Sequence, residues 1–161
     1  HGIADQLIYS TRIDATNFAL SADDGSVVAD YDRADVVLIG VSRSGKTPTC
    51  IYMAMQYGVF AANYPLTEED FEGKQMPAML RSHQAKLFGL TIAPQRLQHI
   101  RNERRPGSRY ASLAQCEYEV RCAESLFQRF GVPQINATEC SIEEIASRVI
   151  DRMGIERRLR P

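Results

Sequence analysis

The sequence predicts a single α/β domain in three layers, with a mostly parallel sheet flanked by helices. Three observations carry that expectation. Asp35-Val36-Val37-Leu38-Ile39-Gly40 is an unbroken apolar and β-branched run, the composition of a strand buried on both faces. The glycine-rich stretch Gly40-Val41-Ser42-Arg43-Ser44-Gly45-Lys46-Thr47 follows it directly and opens a helical pattern, as in domains of the P-loop type. Beyond that stretch, strand-like and helix-like segments alternate over short connections.

With 161 residues, 44% of them hydrophobic and 24% charged, the chain has the make-up of one compact globular domain. A division is expected between residues 1–33, a helix and connecting segment, and residues 34–161, the P-loop kinase-like domain. The formal net charge is −1, from 19 basic and 20 acidic side chains, so no global electrostatic attraction to nucleic acid or membrane is expected. No apolar run approaches the roughly 20 residues that span a bilayer, and the start lacks a basic-then-apolar signal layout. The chain is read as cytoplasmic. Cys50, Cys116, Cys122 and Cys140 form no C-x-x-C pair and no metal spacing with the three histidines, so they read as reduced thiols. Beginning with His1 rather than Met, the chain reads as a fragment.

The elements follow in order. Ile3, Leu7, Ile8, Ile13, Phe18 and Leu20 mark a helix over 2–20 that ends before the polar turn Ser21-Ala22-Asp23-Asp24-Gly25. The strand over 35–40 comes next, then a helix from Thr47 to Tyr57, with Pro48 tolerated in its first turn and Gly58 closing it. Val59 to Asn63 reads as a second strand, and Thr67-Glu68-Glu69-Asp70 as the capped start of a small helix. Lys86 to Ile92 reads as a third strand, and Pro94 opens a helix over 95–104.

Arg101 to Arg109 holds Arg101, Arg104, Arg105 and Arg109 and reads as a mobile basic loop. Leu113, Cys116, Val120, Ala123, Phe127 and Phe130 recur at intervals of three and four, predicting a helix over 110–130 with Gly131 as its stop. Pro133 to Thr138 is the fourth strand. Ser141 and Glu144 form a capping box ahead of the stripe Ile142, Ile145, Ala146, Val149, Ile150 and Met153, which Gly154 ends.

The chemistry concentrates in residues 40–47. Gly40 and Gly45 let the backbone curl tightly enough to aim successive N–H groups at phosphate oxygens. Lys46 reaches the β- and γ-phosphates as a point charge, Thr47 offers its hydroxyl to magnesium, and the following helix turns its positive end on the anion. Arg43 offers a fork of donors for a second phosphate or a phosphorylated side chain, and reads equally as a solvated loop charge. Arg105 and Arg109 are candidate lid arginines, of the kind that close over a transferring phosphoryl group. Asp23 and Asp24 read first as a turn and second as a metal or proton site, which makes Asp24 the candidate base. No strand ends in an apolar run plus Asp, so the second magnesium ligand is unassigned. His83 and His99 read as surface or packing histidines.

Ala34 to Thr49, followed by Gly58-Val59-Phe60-Ala61-Ala62-Asn63-Tyr64-Pro65-Leu66, resembles the bifunctional regulatory proteins of phosphoenolpyruvate synthase and pyruvate, phosphate dikinase. Arg12-Ile13-Asp14-Ala15, Asn17-Phe18-Ala19, Asp23-Asp24-Gly25, Leu87 to Ile92 and Ser108 to Leu113 extend the likeness over nearly the whole chain, and Asn102 to Arg105 with Ser108-Arg109-Tyr110 is nearer to the synthase branch. The resemblance implies an ADP-dependent serine/threonine kinase that inactivates phosphoenolpyruvate synthase, and a phosphorylase that reactivates it with inorganic phosphate and releases pyrophosphate. It also implies a nucleotide site at Gly40 to Thr47 with Mg2+, and a family N-terminal domain that this chain lacks; it assigns no base. Other readings are the same activities on the dikinase, a small-molecule P-loop kinase, and a nucleotide-binding module without catalysis. Oligomeric state is left open, a homodimer being one option.

Overall fold

The computed structural model describes residues 2–23 and 30–160. Four strands, β1 (Val36–Gly40), β2 (Ala61–Pro65), β3 (Leu87–Thr91) and β4 (Gln134–Asn136), form one sheet in the order β2-β1-β3-β4. Every neighbouring pair is parallel, with Val36 opposite Ala61, Val37 opposite Leu87 and Gly89 opposite Gln134. The expected three-layer α/β class holds, and the sheet is parallel throughout. Parallel neighbours need crossovers, and the helices supply them.

Six α-helices are described: α1 (Ile3–Ser21), α2 (Lys46–Tyr57), α3 (Glu68–Gly73), α4 (Pro94–Arg104), α5 (Leu113–Arg129) and α6 (Ile142–Met153). Because side chains alternate across a strand, β1 feeds two cores at once. Val36 and Leu38 pack with Ala15 of α1, Met53 of α2 and Val149 of α6. Val37 and Ile39 pack with Leu97 of α4 and with Val120 and Phe127 of α5. At Gly89 the helix layer lies so close that a Cβ would stand 2.7 Å from the Phe127 ring.

Element boundaries follow hydrogen-bond demand. The second strand begins at Ala61 and includes Pro65, two residues later than the composition predicts. Val59 spends its N–H on the Met53 carbonyl as α2 ends, and Phe60 donates to the Asp35 carboxylate, so neither is free for the ladder. Lys86 ends a 3-10 stretch, its ammonium holding the carbonyls of Tyr31 and Asp32, and β3 starts one residue later than expected, at Leu87. Ser112 caps α5 by accepting from the Gln115 amide, which starts that helix at Leu113 rather than Tyr110. Both expected capping boxes form, Thr67 with Asp70 and Ser141 with Glu144. A 3-10 stretch over Ala78–Lys86 carries no apolar period and is not foreseen in the sequence.

The chain end is tied to the far side of the sheet. Arg158 donates to both Asp35 oxygens at 2.6 and 3.0 Å and to the Gly58 carbonyl at 2.7 Å, while buried Leu159 bonds the Tyr57 carbonyl. Among the described residues, no helix is long and apolar enough to cross a membrane. With β1 flanked by β2 and β3, successive crossovers leave it in opposite directions, and the crevice at its carboxyl end is where open parallel sheets hold ligands.

Candidate phosphate-binding site

The chain leaves β1 at Gly40, where a Cβ would lie 2.6 Å from the Leu90 carbonyl oxygen and 2.9 Å from Ser44 Oγ. Only glycine fits there. Gly45 takes φ +99°, a left-handed conformation that glycine adopts without steric cost, and directly precedes α2. Arg43 also sits at positive φ, +71°, which a residue with a Cβ adopts at a cost of roughly 1 kcal/mol or more. Its side chain projects into solvent.

Inside the bend, Ser44 Oγ and Lys46 Nζ both donate to the Val41 carbonyl, at 2.8 and 2.7 Å. Lys46 is 4% exposed, so its ammonium lies sheltered against the curled backbone. Among the described residues no side chain caps the start of α2, and its first amides are left to face the crevice. Thr47 Oγ1 donates to Asp23 Oδ1 at 2.7 Å, and Asn63, fully buried on β2, donates to the same oxygen at 2.5 Å. A threonine hydroxyl and an aspartate carboxylate thus stand side by side at the foot of α2.

The bend, Lys46 and Thr47 included, lines a cleft of about 780 Å³. It is lined by the loop from Ser42 to Thr47, by Leu66 and Thr67 after β2, by Ile92, Arg96 and Ile100 around α4, and by Cys140, Ile142 and Ile145 at α6. Its lining combines the cations Arg43, Lys46 and Arg96 with the apolar side chains Ile92, Ile100, Ile142 and Ile145.

Of the residues singled out in the sequence, Gly40, Val41, Ser42, Arg43, Ser44, Gly45, Lys46 and Thr47 make up this one bend. Arg105 and Arg109 are exposed and do not line the cleft; Arg105 stacks over the Tyr110 ring, 5.7 Å from its centroid. Asp24 lies outside the described residues. The arginine run is not one loop, because α4 extends through Arg104 and carries Arg101 into the interior at 0% exposure. His99 pairs with Glu103 one turn on at 3.1 Å, and His83 edges the Tyr31 ring, away from the cleft. All four cysteines are free thiols, and among the described residues no three acidic, histidine or cysteine side chains cluster as a metal site.

Two contributors, Arg96 and Tyr110, escape sequence reasoning, and for Asp23, noted there as a possible metal or proton site, the partner does. Asp23 reaches Thr47 only because α1 folds back along α2, a contact 24 residues apart that no motif announces. Arg96 enters the cleft from the first turn of α4, where Pro94 at the start is the sole local hint. Tyr110 meets the loop from 68 residues away, its hydroxyl 2.6 Å from Ser42 Oγ.

Comparison with known proteins points the same way as the bend. A family model described as kinase/pyrophosphorylase matches residues 1–150. A protein of Pseudomonas fluorescens strain Pf0-1, provisionally named as a phosphoenolpyruvate synthase regulatory protein, is 59% identical over 160 residues, 99% of this chain and 59% of its own length. A protein of the same provisional name from Pseudomonas savastanoi pv. phaseolicola is 58% identical over the same span. The chain therefore covers 59% of the length of these relatives.

Proposed function

The chain belongs to the kinase/pyrophosphorylase family, and from that premise we propose that it carries the phosphoryl-transfer site of a bifunctional regulator of phosphoenolpyruvate synthase. In one direction the site moves the β-phosphoryl group of ADP to a threonine hydroxyl of the synthase, leaving AMP and an inactive target. In the other, inorganic phosphate attacks the phosphothreonine, giving pyrophosphate and the free hydroxyl. The observation that supports this most directly is the bend at 40–47, with sheltered Lys46 and an uncapped α2 facing the cleft.

Both reactions pass a phosphoryl group between two oxygens, with negative charge spread over its outer oxygens. One set of fixed donors serves both directions. The amides of the bend and of α2 stabilise the charge without reorganising, and Lys46, itself 4% exposed, adds a full positive charge. Arg43, exposed on the bend, and Arg96 of α4 both line the cleft and are the cations assigned here to the second phosphate. The apolar wall of Ile92, Ile142 and Ile145 suits the adenine ring.

Thr47 Oγ1 and Asp23 Oδ1, two hard oxygen donors 2.7 Å apart beside the amides, suit Mg2+, which takes one or two protein oxygens and completes its shell with water and phosphate. The ion would neutralise charge between adjacent phosphates. Asn63 holds the Asp23 carboxylate in place for that duty.

The test is a two-stage assay with purified synthase. ADP is added first and phosphothreonine measured, then inorganic phosphate is added and pyrophosphate measured. Lys46→Ala should abolish both stages while the protein stays folded, and survival of either stage would demand two separate sites.

A further inference from the structure

Arg101 is a fully buried arginine that touches neither the cleft nor solvent. Nη1 donates to Glu119 Oε2 at 3.2 Å and to the Tyr110 carbonyl at 2.9 Å, while Nη2 donates to Glu119 Oε1 at 2.9 Å. Nη2 and Nε together grip the carbonyl of Ser42, at 3.0 and 3.4 Å. The guanidinium lies 4.1 Å from the centroid of the Tyr110 ring. All five N–H groups are thereby directed at acceptors.

A buried ion pair is a poor way to gain stability, because apolar side chains of the same shape usually do as well. The geometry points elsewhere. A trans peptide sets its C=O and N–H in opposite directions, and no cis bond occurs among the described residues. Drawing the Ser42 carbonyl toward α4 turns the Arg43 N–H away from Arg101. The following residue is Arg43 itself, held at φ +71° against the preference of any side-chain-bearing residue, so an outside anchor on the preceding carbonyl is what keeps it there.

We propose that Arg101 is a positioning residue for the phosphoryl-transfer loop: by gripping the Ser42 carbonyl it fixes the Ser42–Arg43 peptide, so that the Arg43 amide and guanidinium are set for a phosphate before one arrives. The inference rests on the phosphate-binding reading of the bend. Arg101 acts through the loop and does not meet the substrate.

The test replaces the sealed pair by apolar side chains, Arg101→Met with Glu119→Leu, and reads ADP affinity by calorimetry and the Arg43 amide resonance on adding inorganic phosphate. The double variant should melt within a few degrees of the parent, bind ADP about tenfold more weakly, and lose the phosphate-dependent shift of Arg43, one charge-assisted hydrogen bond having been misaligned. Glu119→Gln, which leaves the Ser42 grip intact, should bind ADP within about twofold of the parent. A folded double variant with parental affinity and an unchanged Arg43 shift overturns the proposal, as does a Glu119→Gln loss equal to that of the double variant. Should the double variant not fold, Arg101→Lys, which keeps the charge but lacks the fork, is read by the same two criteria. A parent chain that takes neither ADP nor phosphate overturns the phosphoryl reading itself and this inference with it.

Discussion

Two arginine forks bracket β1. Before it, Arg158 holds Asp35 with side chains 41% and 23% exposed; beyond it, Arg101 holds Glu119 with side chains 0% and 10% exposed. The contacts are alike in length and number, yet their surroundings make them different devices. Water shares the first pair, which fastens the end of the chain to the sheet. The second is sealed, so its partners cannot be replaced by solvent, and the surplus donors of its guanidinium reach the loop where chemistry is expected.

The comparison breaks most easily at the sealed pair. Arg101→Ala leaves the buried Glu119 carboxylate with no cation and only the Gln115 amide at 2.8 Å, and unfolding by denaturant should show a loss of about 3 kcal/mol or more. A loss below about 1 kcal/mol would make the two forks equivalent and remove the contrast. Arg158→Ala should cost only about 1 kcal/mol by the same measurement, since water can solvate Asp35 and the Phe60 amide still reaches it. The smallest effect concerns salt. Raising ionic strength from about 0.1 M to about 1 M contracts the screening length from roughly 10 Å to 3 Å, so the Arg158→Ala deficit should shrink while that of Arg101→Ala stays the same. Equal shrinkage in melting experiments would mean that water reaches both pairs.

These forks also mark where sequence reasoning succeeds and where it stops. The layers are legible because β1 is apolar on both faces, α5 repeats at three and four, and Thr67 and Ser141 announce their helices locally. The bend is legible because a Cβ at Gly40 would collide with a neighbouring strand and Gly45 needs a left-handed backbone, demands that only glycine meets. Arg101 is not. It belongs to a run of arginines that differ in the sequence only by position, and a buried fate depends on Glu119 arriving from another helix. Asp23 is legible only in part: its carboxylate stands out as a possible metal site, while its partners Thr47 and Asn63 do not. Local rules describe conformation, whereas the partners of a charge are a property of the packed whole.

The rims of the sheet carry a consequence for association. On the β2 side, the Asn63 amide is already taken by the Ala22 carbonyl at the end of α1. On the other side, β4 is three residues long and turns away at Asn136, whose side chain receives the amide and hydroxyl of Thr138. Among the described residues, one β2 amide and the end of β4 are thus withheld from a foreign strand that would template itself there. Among the described residues, margins this short give edge-to-edge pairing few backbone groups to build on.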